Sequence, residues 1–194
     1  MKKVSVYDAV GKQLFHDMTA ILEGGYKGPR FKRGHVITLE DIPVLLDMGK
    51  EHIFIWENDP NLVHEEDAAF AVVEAATGEN IIIPSPSEGR FPLKASCDGV
   101  FVLNRDGLKA INSVPDYTFA TLRHGAPVKQ GDLVVGARIV PLVTTVERVE
   151  QAKEAAQLYA PVFSIAPYRP LKTAMVITGG EIYSGRIKDA FAPI

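Results

Sequence analysis

Short apolar runs interrupted by turn residues set the main limit on what this chain can fold into. Candidate strands are Val4–Val6, Val36–Thr38, His52–Trp56, Asn80–Ile83, Arg90–Ala95, Val100–Leu103, Thr118–Leu122 and Leu133–Val143. Turn signals such as Gly24-Gly25, Asp98-Gly99, Asp106-Gly107 and Gly131-Asp132 lie between them. Strands at this spacing predict a barrel or a β-clip rather than repeated βαβ units.

Helical spacing is rarer. Ile42, Leu45 and Leu46 share a face, with Asp41 placed to cap the helix and Gly49 to end it. Ala69, Phe70, Val73 and Ala76 form a second stripe, with Glu65, Glu66 and Asp67 in the first turn and Gly78 beyond the last. The clearest helix spans Thr145–Tyr159, with Thr144 and Glu147 as a capping box and Val146, Val149, Ala152, Ala156 and Tyr159 on one face. A shorter helix is predicted over Asp106–Ser113. The expected class is therefore α+β, mostly β, with a few flanking helices.

Composition excludes several function classes. At 46% hydrophobic and 23% charged residues the chain has enough apolar material to bury a core. A net charge of -3 supplies no broad field for nucleic acid or an anionic membrane. No apolar run approaches the ~20 residues of a membrane span. Lys2 and Lys3 resemble the opening of a signal peptide, but Asp8 and Gly11 interrupt any apolar stretch after them. Cys97 is the single cysteine, so no disulfide forms within the chain and a cytoplasmic location is expected.

Pro84-Ser85-Pro86-Ser87 and Ala166-Pro167-Tyr168-Arg169-Pro170 are the predicted boundaries. They give a β-clip unit with helices (1–84), a small barrel-like unit (85–143), a helix with linker (144–170) and a tail (171–194). In the tail, Ala174-Met175-Val176-Ile177 has the pattern of a strand buried on both faces. It runs into Thr178-Gly179-Gly180-Glu181, followed by Gly185, Arg186 and Asp189. A buried strand entering a small-residue turn is how an α/β domain builds an anion site. One βαβ unit takes ~30 residues or more, whereas 24 residues run from 171 to 194. The expectation is the first strand of an incomplete α/β domain, either disordered or paired with another element or a second copy of the chain. On spacing alone, Thr-Gly-Gly is also readable as a simple turn.

The stretch Val176-Ile177-Thr178-Gly179-Gly180-Glu181-Ile182-Tyr183-Ser184-Gly185-Arg186-Ile187-Lys188-Asp189 resembles the opening of the molybdopterin-binding domain of molybdenum-cofactor biosynthesis proteins. That family carries a Thr-Gly-(Asp/Asn)-Glu turn, so Gly180 departs from its pattern. Asp8-Ala9-Val10-Gly11, His16-Asp17-Met18-Thr19, Lys27-Gly28-Pro29-Arg30-Phe31-Lys32-Arg33-Gly34-His35 and Gly49-Lys50-Glu51-His52-Ile53 are similar to the same group. So are Ser87-Glu88-Gly89-Arg90 and Arg138-Ile139-Val140-Pro141-Leu142. Gly34-His35-Val36-Ile37 leading into Glu40-Asp41 also resembles SAF-type β-clip modules. The resemblance implies a cytoplasmic homodimer that takes molybdopterin as cofactor, with front domains serving as scaffold. Thr178, Gly179, Gly180, Glu181 and Asp189 are the implied cofactor-binding residues. Full-length members are molybdenum-insertion transferases; activity is not expected of this portion alone, and no catalytic residue is assigned.

Other constellations permit other readings. His16, Asp17, His35 and His52 contain no close-spaced ligand pair, so no metal site is expected. Lys27, Arg30, Lys32 and Arg33, interleaved with Tyr26 and Phe31, read either as a contact to a phosphate or acidic partner surface or as a solvated loop. Lys109 and the Lys129-Gln130-Gly131-Asp132 turn are similar to carrier half-barrels, but Lys109 falls in a predicted helix, not at a hairpin tip. Cys97 is read as a half-buried small hydrophobe. Two further functions stay open: a stand-alone β-rich ligand-sensing or protein-interaction module, and an accessory module of a sugar-acid lyase with metal ligands near His16.

Overall fold

The protein is described by a computed structural model over residues 2–21, 27–55, 59–176, 178–188 and 190. Its elements are β1 (Lys2–Ser5), a 3-10 turn (Val6–Ala9), β2 (Met18–Ile21), β3 (Lys27–Phe31), α1 (Asp41–Asp47), β4 (His52–Ile55), β5 (Leu62–His64) and α2 (Glu65–Ala76). Then come β6 (Ile81–Ile82), β7 (Phe91–Ala95), β8 (Gly99–Leu103), α3 (Arg105–Ser113), β9 (Tyr117–Thr121), β10 (Pro127–Val128) and β11 (Leu133–Ile139). Last are β12 (Val143–Thr145), α4 (Val146–Leu158), β13 (Phe163–Pro167) and α5 (Gly180–Tyr183). The mostly β character with a few helices matches the class predicted from spacing.

Two hydrophobic clusters organise these elements. The first joins Val4, Val6, Ala9, Leu14, Met18, Phe31, Ile37, Ile42, Leu45, Ile53 and Ile55. Alternation sets the inner face: in β4, Ile53 and Ile55 are buried while His52 is exposed. β1 pairs antiparallel with β4, and β2 with β3. Val36–Thr38, predicted as a strand, makes only an isolated bridge from Val36 to Gln13. Ile37 is fully buried there, its carbonyl accepting from Gly11 N–H at 2.8 Å and its N–H donating to Lys12 O at 3.0 Å. Asp41 opens α1 without capping it; its Oδ2 accepts from Thr38 N–H at 2.9 Å and pairs with His35 Nε2 at 2.7 Å. Burial pushes the Asp41 carboxyl up, but these hydrogen bonds outweigh it and hold it below the usual range.

The second cluster runs from Ala68 to Ile165. Its larger sheet has the order β6-β7-β11-β9 and its smaller one β10-β8-β13, with antiparallel pairing throughout. Neither sheet closes into a barrel among the described residues. Helix α2 packs on β11 and α3 on β9, so helices cover surface that a closed barrel would cover with strands. The Pro84–Ser87 stretch lies within the span of this core, because Ala69 and Val73 of α2 share it with Phe91 and Leu93 of β7. Phe70 leaves the expected stripe and is exposed, while Ala68 and Val72 take its place inside.

Two expectations in this region shift. The run Leu133–Val143 divides into β11 and β12, because Pro141 has no N–H for a ladder and the Val140 N–H is taken by Asp116 O at 2.9 Å. The cap of α4 is Thr145, whose Oγ1 accepts from Arg148 N–H at 3.3 Å. Thr144 turns inward and donates to Asp116 Oδ2 at 2.7 Å, an oxygen that Arg148 also reaches at 2.5 Å. Cys97 is half-buried against the second core. Lys109 is exposed on α3, and the Lys129–Asp132 segment is a self-bonded turn, Asp132 Oδ2 accepting from Lys129 N–H at 2.8 Å.

The strand expected over 174–177 is not formed at 171–176, which have no regular secondary structure; Ile177 lies outside the described residues. An extended apolar segment needs a neighbouring ladder for its N–H and C=O groups. Here Met175 and Val176 are exposed, with no strand alongside among the described residues.

Gly99 sets how closely β8 and β13 approach, since a Cβ there would lie 2.3 Å from Ala166 O. Gly99→Ala is expected to cost about 1–3 kcal/mol of stability. Urea unfolding measures it, and an unchanged midpoint would show that the strand pair has room to move apart.

Candidate functional site

Two strongly perturbed ionisable groups, His64 and Glu65, meet where the two clusters join, at the start of α2. His64 ends β5 and caps α2: its Nδ1 accepts from Glu66 N–H at 3.2 Å and its Nε2 donates to Phe15 O at 2.9 Å. Both bonds together require the neutral ring with the proton on Nε2. The ring is 1% exposed and lies 5.0 Å from that of Phe15. Burial, aided by Arg33, lowers its pKa to about 4.

Glu65 follows. It is 8% exposed, and its carboxyl lies against Gly89, where a Cβ would be 2.3 Å from Oε2. No hydrogen-bond partner for that carboxyl is found among the described residues. Burial, reinforced by Glu66, pushes it up to about 7; Arg138 and Arg33 oppose the rise, and Asp17 adds to it. Gly89 and Glu88 are the central residues of a two-residue hairpin turn, both with positive φ (+70° and +52°). Reciprocal bonds between Ser87 and Arg90, at 2.9 and 3.1 Å, close the turn.

Two clasps flank Glu65. Arg33 reaches Glu66 Oε2 at 3.1 Å and Asp67 Oδ2 at 2.8 Å, and Asp17 Oδ1 holds the Arg33 backbone N–H at 2.9 Å. Thr19 Oγ1 donates to Glu88 Oε1 at 2.6 Å. The basic loop therefore meets an acidic surface of its own chain through Arg33, while Arg30 and Lys32 are exposed. His16 Nδ1 is buried without a hydrogen-bond partner. Burial lowers the His16 pKa against the opposing pull of Asp17, and Lys50 adds to the lowering. Among the described residues, no group of three His, Cys, Asp or Glu is placed to hold a metal ion. The chemistry available at the junction is proton exchange on a buried carboxyl and fastening of one cluster to the other.

The residues singled out in the tail lie elsewhere. Thr178, Gly179 and Gly180 line an open cavity of about 530 Å³ with Ile182 and Tyr183. Glu181 bends back over this turn, so that a Cβ on Gly179 would lie 2.9 Å from its Oε1. Asp189 lies outside the described residues. The sequence alone carries no sign of the role of His64, and it places Glu65 as one of three acids in the first turn of a helix, where the dipole favours negative charge. Nothing in a His-Glu-Glu-Asp string distinguishes the acid that a distant Gly89 will cover.

A family model described as a domain of unknown function (DUF8806) matches residues 3–57, the region of the first cluster. No curated protein and no solved structure matches the chain. No helix among the described residues is long and apolar enough to cross a membrane.

The depressed His64 pKa has a signed consequence. Between its folded value of about 4 and the ordinary 6.5, the unfolded chain binds more protons. Stability from neutral His64 is thus present above the ordinary value and is lost as pH falls toward the folded one. The advantage of wild type over His64→Gln is expected to shrink by about 1–3 kcal/mol between neutral and acidic pH. Denaturant unfolding of both proteins across that range tests this; Glu65 titrates in each and cancels. An advantage that stays constant would mean the imidazole is not held neutral.

Proposed function

We propose that this chain acts in molybdenum cofactor biosynthesis as a scaffold that presents a molybdopterin-handling segment. The single observation that carries the reading is the tail. From Ala166 onward no described side chain is buried, and Leu171, Met175, Val176 and Ile187 stand in solvent. This apolar segment leads into Thr178-Gly179-Gly180-Glu181, the stretch that resembles the opening of a molybdopterin-binding domain. No described residue from 171 onward belongs to either cluster, so the tail is free to be finished by other elements. A homodimer, in which a second copy lies against this segment, belongs to the same proposal.

The turn supports weak rather than tight pterin binding by itself. Gly180 leaves space where the family carries Asp or Asn, and the Glu181 carboxylate already lies over the turn, where a phosphate would meet like charge. Backbone N–H groups at the start of α5 are the available donors, but a four-residue helix adds little dipole behind them.

The exposed tail also favours a second reading, a protein-interaction module whose apolar segment docks on a partner. No observation favours the sugar-acid lyase accessory role, which needs ligands converging near His16.

Deleting the gene in its host is expected to lower molybdoenzyme activity, with recovery when the gene is restored. Titration calorimetry of the purified chain with molybdopterin is expected to show weak binding or none. Unchanged molybdoenzyme activity on deletion would sink the cofactor reading and leave the interaction module. Tight binding by the purified chain would move the site from the tail to the folded body.

A further inference from the structure

The junction holds a buried carboxyl that neither clasp uses. Glu65 sits between them, with Arg33–Glu66/Asp67 on one side and Thr19–Glu88 on the other. It is 8% exposed and pressed against Gly89, a position that would not accommodate even a methyl group. An ionised carboxylate in that place would have given up much of its water without gaining a hydrogen bond among the described residues, a costly combination. A protonated one carries no such charge penalty.

The charged groups around it do not compensate. From α2 Glu66 acts on it, from the first cluster Asp17 and Arg33, and from β11 Arg138; the neighbouring Asp67 pairs with Arg33, and Glu88 of the 87–90 hairpin with Arg90. Arg33 is committed to Glu66 and Asp67, and Arg90 reaches Glu88 at 3.4 Å. His64 is neutral by burial and adds no positive charge, and burial disfavours the charged form of His16 as well. Asp17 and Glu66 oppose ionisation of Glu65, and of the two guanidinium groups that favour it Arg33 is shared with Glu66 and Asp67.

We propose that Glu65 is a proton-operated fastener at the junction of the two hydrophobic clusters: protonated, it lets the 87–90 hairpin close over the start of α2 and hold the first cluster through Thr19–Glu88, and ionised, it drives hairpin and helix apart. The movement is local. It releases the Thr19–Glu88 bond and frees the hairpin, while the β9–β11 ladder behind it keeps its hydrogen bonds. The direction follows from the carboxyl's position near neutrality. A raised folded pKa means the closed form binds more protons than the open one, so closure weakens as pH rises from the ordinary carboxylate value toward about 7.

Hydrogen exchange on the full chain across pH 5 to 8, corrected for the intrinsic chemical rate, reads this directly. Protection of the Arg90 and Glu66 amides is expected to fall by about tenfold or more with rising pH, one pKa unit being worth tenfold. The Val135 and Phe119 amides are expected to hold their protection. Glu65→Gln, uncharged at every pH, is expected to keep the junction protected throughout. Wild-type protection that is flat with pH overturns the proposal, as does a Glu65→Gln protein that retains the wild-type dependence. Should Glu65→Gln fail to fold, Asp17→Asn decides: it removes one of the like charges, so the closed form tolerates ionised Glu65 better and the loss of protection with rising pH becomes smaller, and an undiminished loss overturns the proposal.

Discussion

A neutral imidazole ties this molecule together. His64 gives its one proton to the Phe15 carbonyl, beside Leu14 of the first cluster, and accepts the Glu66 N–H at the start of α2, whose later residues enter the second. A side chain with a donor on one nitrogen and an acceptor on the other suits this junction: a lysine has nothing to accept with, and a carboxylate nothing to give to a carbonyl. Because α2 starts from that ring, the placement of Glu65, Glu66 and Asp67 follows from it. The clasps to Arg33 and Thr19 then act on groups already aligned. Buried polar groups of this kind contribute little as single bonds, but the cost of leaving one unmade specifies a unique arrangement.

Most of the regular elements were legible because local chemistry and tertiary context agree there. Gly49 adopts positive φ just beyond α1, as a helix-ending glycine should. Strands β7, β8 and β9 fall within a residue or so of their predicted bounds, since turn residues flank them and their inner faces alternate. Failures occur where a distant group decides. Thr144 and Thr145 are equivalent as caps by composition; Asp116, held at positive φ far back in the chain, draws Thr144 inward and leaves Thr145 to cap. β2, β3 and β13 escaped notice because glycine, proline and polar residues blur their alternation, and pairing partners alone reveal them.

The candidate site was less legible still. Its members come from five separate stretches, around residues 15–19, 33, 64–67, 87–90 and 138. None carries a spacing that points to the others. The basic loop was visible as a charge cluster, and its acidic counterpart as a helix start, but no local rule joins Arg33 to Glu66. The tail presents the opposite case: its motif is conspicuous in sequence, yet its strand needs a ladder that the described residues do not supply.

The order of the elements along the chain also bears on biosynthesis. Every member of the first cluster lies between Val4 and Ile55. The second cluster is not complete until Ile165, because β13 pairs with β8 across sixty positions, Phe163 against Leu103. A polypeptide leaving the ribosome N-terminus first can therefore condense its leading portion early, while the trailing portion waits for its final strand. During that interval Phe15, against which the His64 ring lies in the finished molecule, lacks that cover, and a chaperone that recognises short apolar stretches would find it there.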